Sequence, residues 1–155
     1  MLNRVKEEHL KNKPEGCFLA DVFLMCNLKE IKNSTWQLDY YNPETKKITS
    51  HLIQQGEIQD NQESFKDPNT NIQEIDLNKV NVEFKEALET AKAELSKYPD
   101  TATKIVAILQ TLEGISTWNI SFITTNFFLH NTKVNAETGD IIKTNYSSLL
   151  SFKAE

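Results

Sequence analysis

The chain has little of what tight phosphate or metal loops are built from. Four glycines and four prolines are spread over 155 residues. No Gly-x-Gly-x-x-Gly, phosphate loop or Gly-x-Ser-x-Gly elbow occurs, so dinucleotide binding and serine-hydrolase chemistry have no carrier. Ser34, Ser116 and Ser121 have no base nearby in sequence. Only two cysteines are present, Cys17 and Cys26. On one extended strand, nine residues at ~3.3 Å each separate them by roughly 30 Å. A disulfide needs Cα atoms within ~7 Å, so both are read as reduced apolar residues; a redox pair or half a metal site lacks Cys-x-x-Cys spacing. His9, His51 and His130 lie in no His-x-x-x-His or Glu-x-x-His context, which leaves zinc little support. His51 and His130 both fall in predicted strands and could approach each other in space. No Asp-x-Asp-x-Asp-Gly calcium loop exists, and the acidic pairs Glu7-Glu8 and Glu44 with Glu137 read as solvated helix and turn positions. No cofactor and no metal are expected.

Positive charge is also short. Seventeen Lys and Arg against 22 Asp and Glu leave a net charge of −5. Non-specific nucleic-acid binding relies on basic surface, so nucleic acid is not an expected partner. No apolar run approaches the ~18–20 residues of a membrane span. Residues 1–10 are too charged for a signal peptide; an exported or envelope-attached chain whose signal had been removed would look the same, so the compartment stays open. What is present, 39% hydrophobic and 25% charged residues, suits a globular chain with a real core.

Two internal matches organise it. Ser34-Thr35-Trp36-Gln37-Leu38-Asp39-Tyr40 and Ser116-Thr117-Trp118-Asn119-Ile120-Ser121-Phe122 share one pattern, 82 residues apart. In a strand, Trp36, Leu38 and Tyr40 line one face, as do Trp118, Ile120 and Phe122. Asn42-Pro43-Glu44-Thr45-Lys46-Lys47-Ile48 and Asn135-Ala136-Glu137-Thr138-Gly139-Asp140-Ile141 share Asn-x-Glu-Thr-x-x-Ile, 93 residues apart. The difference of 11 residues is about one strand plus a turn.

In order, Leu2 to Lys11 reads as a short helix ended by Pro14-Glu15-Gly16. Strands are expected over Cys17–Glu30, Thr35–Tyr41 and Ile48–Gln54. Residues 56–75 are polar and long for a loop inside one domain; they read as a linker. A second helix carries Phe84, Leu88, Ala91 and Leu95 on one face, with Asp76 or Asn81 as its cap and Pro99 as its stop. Four strands follow: Thr103–Leu112, Ser116–Thr124, Phe127–Asn135 and Asp140–Ser147. Leu149, Leu150 and Phe152 form an apolar tail expected to pack on the core.

Residues 81–147 resemble a PepSY domain. Val134-Asn135-Ala136-Glu137-Thr138-Gly139-Asp140-Ile141 is similar to the closing hairpin of that family, and Trp118-Asn119-Ile120-Ser121-Phe122 to its aromatic strand. Residues 1–55 look like a degenerate copy with one strand fewer and Lys46 where glycine is expected. The architecture is similar to that of the beta-lactamase inhibitor protein. The resemblance implies a non-catalytic binding or inhibitory module, often exported or envelope-attached.

The expected fold is therefore α+β: two tandem repeats of one helix plus an antiparallel sheet of three to four strands, over 1–55 and 76–155, with the sheets merged into one curved surface. Trp36 and Trp118 are expected under the helices; the alternative is an exposed aromatic platform. The opposite face then offers Asp39, Tyr41, Gln37, Asn119 and Ser121 as contacts to a protein or peptide. The alternative is a small-ligand carrier or enzyme of cystatin-like or NTF2-like type, with a pocket between helix and sheet.

Overall fold

The computed structural model describes residues 1–54, 57–65 and 71–150. Helix α1 spans Leu2–Asn12. Its Leu2 and Val5 are buried, while Leu10 points outward. Strand β1 (Phe18–Asn27) runs into a 3-10 helix over Leu28–Asn33, where an extension of the strand to Glu30 was expected. Strands β2 (Trp36–Asn42) and β3 (Lys47–Gln54) form a hairpin. Helix α2 (Phe84–Leu95) precedes β5 (Ala102–Leu112), β6 (Ile115–Thr124), β7 (Phe128–Asn135) and β8 (Ile141–Ser148).

The stretch read as a linker holds a further strand. The backbone of Glu57–Phe65, β4, pairs antiparallel with β3 from Lys47↔Phe65 to Gln54↔Glu57. The first half thus has four strands, not three. Sequence pattern hid β4 because a polar run reads as loop, whereas backbone pairing needs only N–H and C=O groups. Residues 56 and 66–70 of that stretch, and Phe152 of the apolar tail, lie outside the described residues.

Two helix-plus-sheet repeats, the expected fold class, are overturned by the strand order. Among the described residues all strands belong to one antiparallel sheet, β4-β3-β2-β1-β5-β6-β7-β8. The join is a full ladder, Asp21↔Gln110 to Asn27↔Lys104 between β1 and β5. A separate first sheet would expose the backbone edge of β1 and bare Val22 and Leu24, which are fully buried here. One sheet removes both costs.

Both helices lie on the same side. Phe84 of α2 sits between the two tryptophans, 4.9 Å from Trp36 and 5.5 Å from Trp118 between ring centroids, and the tryptophans themselves are 6.2 Å apart. Trp118 is fully buried and donates its Nε1–H to Val82 O at 2.8 Å. Ala107, fully buried, lies between Leu24 and Ile120 in the register. The two matched stretches therefore converge on one aromatic cluster.

The second match is a match of turns. Asn42 Oδ1 accepts from the Glu44 and Thr45 N–H groups at 2.9 and 3.2 Å. Asn135 Oδ1 accepts from Glu137 and Thr138 at the same distances. Each turn closes with a 2.8 Å backbone bond, from Lys46 N to Asn42 O and from Gly139 N to Asn135 O. Lys46 and Gly139 both have positive φ, 59° and 84°.

Helix α2 is not capped as expected. Its N-cap is Glu83, without a side-chain cap bond; the Glu83 carboxylate instead accepts from Leu2 N of α1 at 3.2 Å. Asp76 caps a 3-10 turn over Leu77–Lys79, and the Asn81 side chain donates to Glu137 O. Glu8 is also not solvated: it is buried, and its Oε2 accepts from Asn12 Nδ2 at 3.0 Å. Among the described residues no helix is long and apolar enough to cross a membrane.

Candidate functional site

The face of the sheet away from the helices carries every residue singled out for recognition. Strand alternation puts Gln37, Asp39 and Tyr41 there because Trp36, Leu38 and Tyr40 take the helix side. Asn119 and Ser121 follow from Trp118 and Ile120 in the same way. They do not form one group. β2 and β6 are three interstrand steps apart, roughly 14 Å at ~4.8 Å per step.

Two separate polar clusters result. In the first, Asp39 Oδ1 accepts from Ser50 Oγ at 2.5 Å and from Gln37 Nε2 at 2.8 Å. Asp39 is only 9% exposed, so its carboxylate is committed to its neighbours rather than offered outward. Tyr41 is half-buried against Phe18, ring edge to face at 5.6 Å. In the second, buried Asn131 donates to Asn119 Oδ1 at 2.5 Å and Ser121 Oγ at 2.8 Å, and Lys133 Nζ donates to Asn131 Oδ1 at 3.0 Å.

Between the clusters lies an apolar stripe that the sequence reading missed. Phe23 pairs with Ile108 and Met25 with Val106 across the β1–β5 join. Phe23, Val106 and Ile108 are half-buried and Met25 is 64% exposed. The signal was the alternation itself: Val22 and Leu24, then Ile105, Ala107 and Leu109, face the helices, which leaves the intervening residues on the other face. It went unread because β1 and β5 are apolar on both faces, and only the pairing of these two strands makes the four residues neighbours.

The histidines lie on or behind the helix side. Imidazole Nδ1 of His9 is 3.1 Å from Tyr40 Oη and the rings stack at 5.6 Å. His51 meets Tyr40 edge to face at 5.2 Å; His130 packs on Tyr98 at 5.3 Å. Burial holds all three imidazoles below their ordinary pKa, with Lys13 adding to the effect at His9 and Glu94 opposing it at His130. Burial, then the Glu8 carboxylate, push the Tyr40 phenol upward. His51 and His130 do not approach: five interstrand steps between β3 and β7 separate them by roughly 24 Å. Among the described residues no three His, Cys, Asp or Glu side chains are grouped to hold a metal, and both cysteines are free.

A side network links the end of α2 to β8. Asp100 accepts from the Tyr146 hydroxyl and from Asn126 Nδ2 at 2.6 Å. These bonds hold the Asp100 carboxyl below its usual range, and the bond to Asp100 pushes the Tyr146 phenol up to about 12. Tyr146 also stacks between Tyr98 and Phe128, at 4.0 and 4.8 Å.

The grooves among the described residues include the following. One of about 330 Å³ lies between Arg4 and Val5 of α1 and Trp36 and Ile53 of the sheet. One of about 600 Å³ runs from Thr111–Ile115 to Lys133 and Lys143, and one of about 520 Å³ lies beside His9, Ile75 and Leu77. His51 and His130 line none of the three.

No family model matches the chain and no curated protein matches it. Among solved structures, the chain is similar to the crystal structure of a "putative lipoprotein" from Clostridium difficile 630, with a TM-score of 0.62 over 92% of this chain and 90% of that one. At 12% identity the likeness is one of fold alone.

Proposed function

We propose that the protein is a non-catalytic binding module that recognises a protein or peptide through the sheet face opposite its helices. The observation that carries this reading is the stripe of Phe23, Met25, Val106 and Ile108 flanked by two hydrogen-bonded polar clusters. Apolar area bordered by fixed polar groups is the usual layout of a recognition surface. The resemblance of residues 81–147 to PepSY domains points the same way, as does the net charge of −5, which disfavours nucleic acid as the partner. Within this surface Asp39 is the most buried of the candidates, so the contacts shift toward the half-buried Gln37, Tyr41, Asn119 and Ser121 and the stripe. The similarity to a protein described as a lipoprotein is compatible with an envelope setting.

The test is selection of peptides from a random display library, followed by mapping of the bound peptide on the 15N-labelled protein. Amide shifts at Phe23, Met25, Val106 and Ile108 are expected. The double variant Met25→Glu, Ile108→Glu should weaken binding at least tenfold, because each buried apolar contact contributes about 1.5–3 kcal/mol. Footprints confined to the helix side, or to the groove between α1 and Trp36, would overturn the reading and favour a small-ligand carrier.

A further inference from the structure

The β7–β8 hairpin holds two like charges in direct register on the helix-free face: Lys133 pairs with Lys143. Like charges opposite one another across two strands destabilise the pair. Lys133 is nevertheless held in place. Its Nζ donates to Asn131, which is 8% exposed and itself fixed by its bonds to Asn119 and Ser121. Among the described residues, neither lysine is paired with a carboxylate. A network that starts on β6 thus positions an ammonium beside a second one, with no counter-charge on either among the described residues.

Both lysines line the groove of about 600 Å³ that runs to the β5–β6 hairpin. Its walls include Leu112, Ile115 and Ile142, the last two 39% and 45% exposed. Glu113 lies at the hairpin end, about six residues along β6 from the level of Lys133, or roughly 20 Å. The groove therefore has a cationic end, and its walls mix these aliphatic side chains with the uncharged polar Asn71, Gln73, Thr111 and Thr117.

We infer that this groove takes an acidic, aliphatic protein segment, with a carboxylate side chain seated on Lys133 and Lys143 and aliphatic side chains against Ile115 and Ile142. The inference rests on the reading of this face as a peptide-binding surface and names the chemistry of the partner. Charge decides between anionic occupants. An extended polyanion or an anionic bilayer meets the field of the whole chain, net −5. A short segment meets only the local pair, because charges beyond ~8–10 Å are screened at physiological salt.

The experiment titrates the 15N-labelled full chain with a pool of heptapeptides in which Glu or Asp alternates with Ile, Leu or Val. A matched pool carries Gln or Asn instead. The acidic pool should shift the amides of Lys133, Lys143, Ile115 and Ile142, and should bind roughly tenfold more tightly than the amide pool, in keeping with a charge-assisted hydrogen bond. The double variant Lys133→Gln, Lys143→Gln should lose that preference and keep the amide-pool affinity. Lys143→Gln alone, at an exposed position, serves if the double variant unfolds. Equal binding of the two pools to the unaltered protein overturns the inference while shifts at Phe23, Met25 and Ile108 keep the peptide-binding reading intact. No shift with either pool overturns both. Vesicles of phosphatidylserine and phosphatidylcholine that bind with the same dependence on the two lysines would overturn it in favour of a lipid surface.

Discussion

Lys46 shows how a single side chain can be at odds with its backbone. Its φ of 59° is the left-handed region, where a Cβ crowds the following carbonyl. The equivalent residue in the β7–β8 turn is Gly139, which adopts φ 84° without that cost. Lys46 is exposed, so its side chain can be removed without opening a cavity. Lys46→Gly is expected to stabilise the protein by about 0.5–1 kcal/mol, the relief of strain being partly offset by the looser unfolded chain. A urea titration checks it: an unchanged or lower midpoint would mean that the lysine stem contributes more than the turn costs. Residue-level spacing was enough to single out this position, because Asn-x-Glu-Thr-x-x-Ile encodes its own turn through the asparagine side chain. The same spacing could not assign the roles of Asp76, Asn81 and Glu83, which depend on where the neighbouring segments pass.

At the scale of elements, α1 and the β1–β5 join make opposite demands on leucine. Leu24 of β1 is fully buried, with Ala107 beside it in the register and the tryptophan pair on the same face. Leu24→Ala should cost about 2–5 kcal/mol through lost burial and the cavity left behind. Leu10 of α1 is 84% exposed, and Leu10→Ala should change stability by no more than about 0.5 kcal/mol. Thermal melts of the two variants measure both; comparable losses would show that Leu10 is covered. The helical spacing of Leu2, Val5 and His9 made this helix legible, but Leu10, which the same spacing sets beside them, points outward. The polar strand β4 was not legible, because its pairing with β3 is a backbone property that side-chain pattern does not report.

For the whole molecule, three half-buried or buried histidines make stability depend on pH. Burial lowers the pKa of His9, His51 and His130 in the folded state relative to about 6.5 in the unfolded chain. The folded state therefore favours the neutral rings. This contribution is fully present above about pH 6.5 and is lost as pH falls through the folded values. Urea midpoints should fall between about pH 7.5 and 5.5, with proton uptake on unfolding. Midpoints that stay flat over that range would show the rings to be as easily charged in the fold as outside it. Asp100 acts lower, its depressed carboxyl contributing above about pH 4 and losing its effect below.

The sequence by itself determined both α-helices, seven of the eight described strands, both Asn-Glu-Thr turns and which side chains of the tryptophan strands share a face. All of these follow from contacts within a few residues or from period-two alternation. Only the tertiary structure decided that β1 and β5 join, that the strands form one sheet rather than two, and that Phe23, Met25, Val106 and Ile108 become one surface. It also decided that Lys133 and Lys143 pair across two strands and line one groove. The reason is that strand order is chosen by which edges meet, among residues 77 to 89 positions apart in the β1–β5 ladder. No local pattern states that choice; it follows from pairing every backbone edge that can be paired while burying one continuous apolar face.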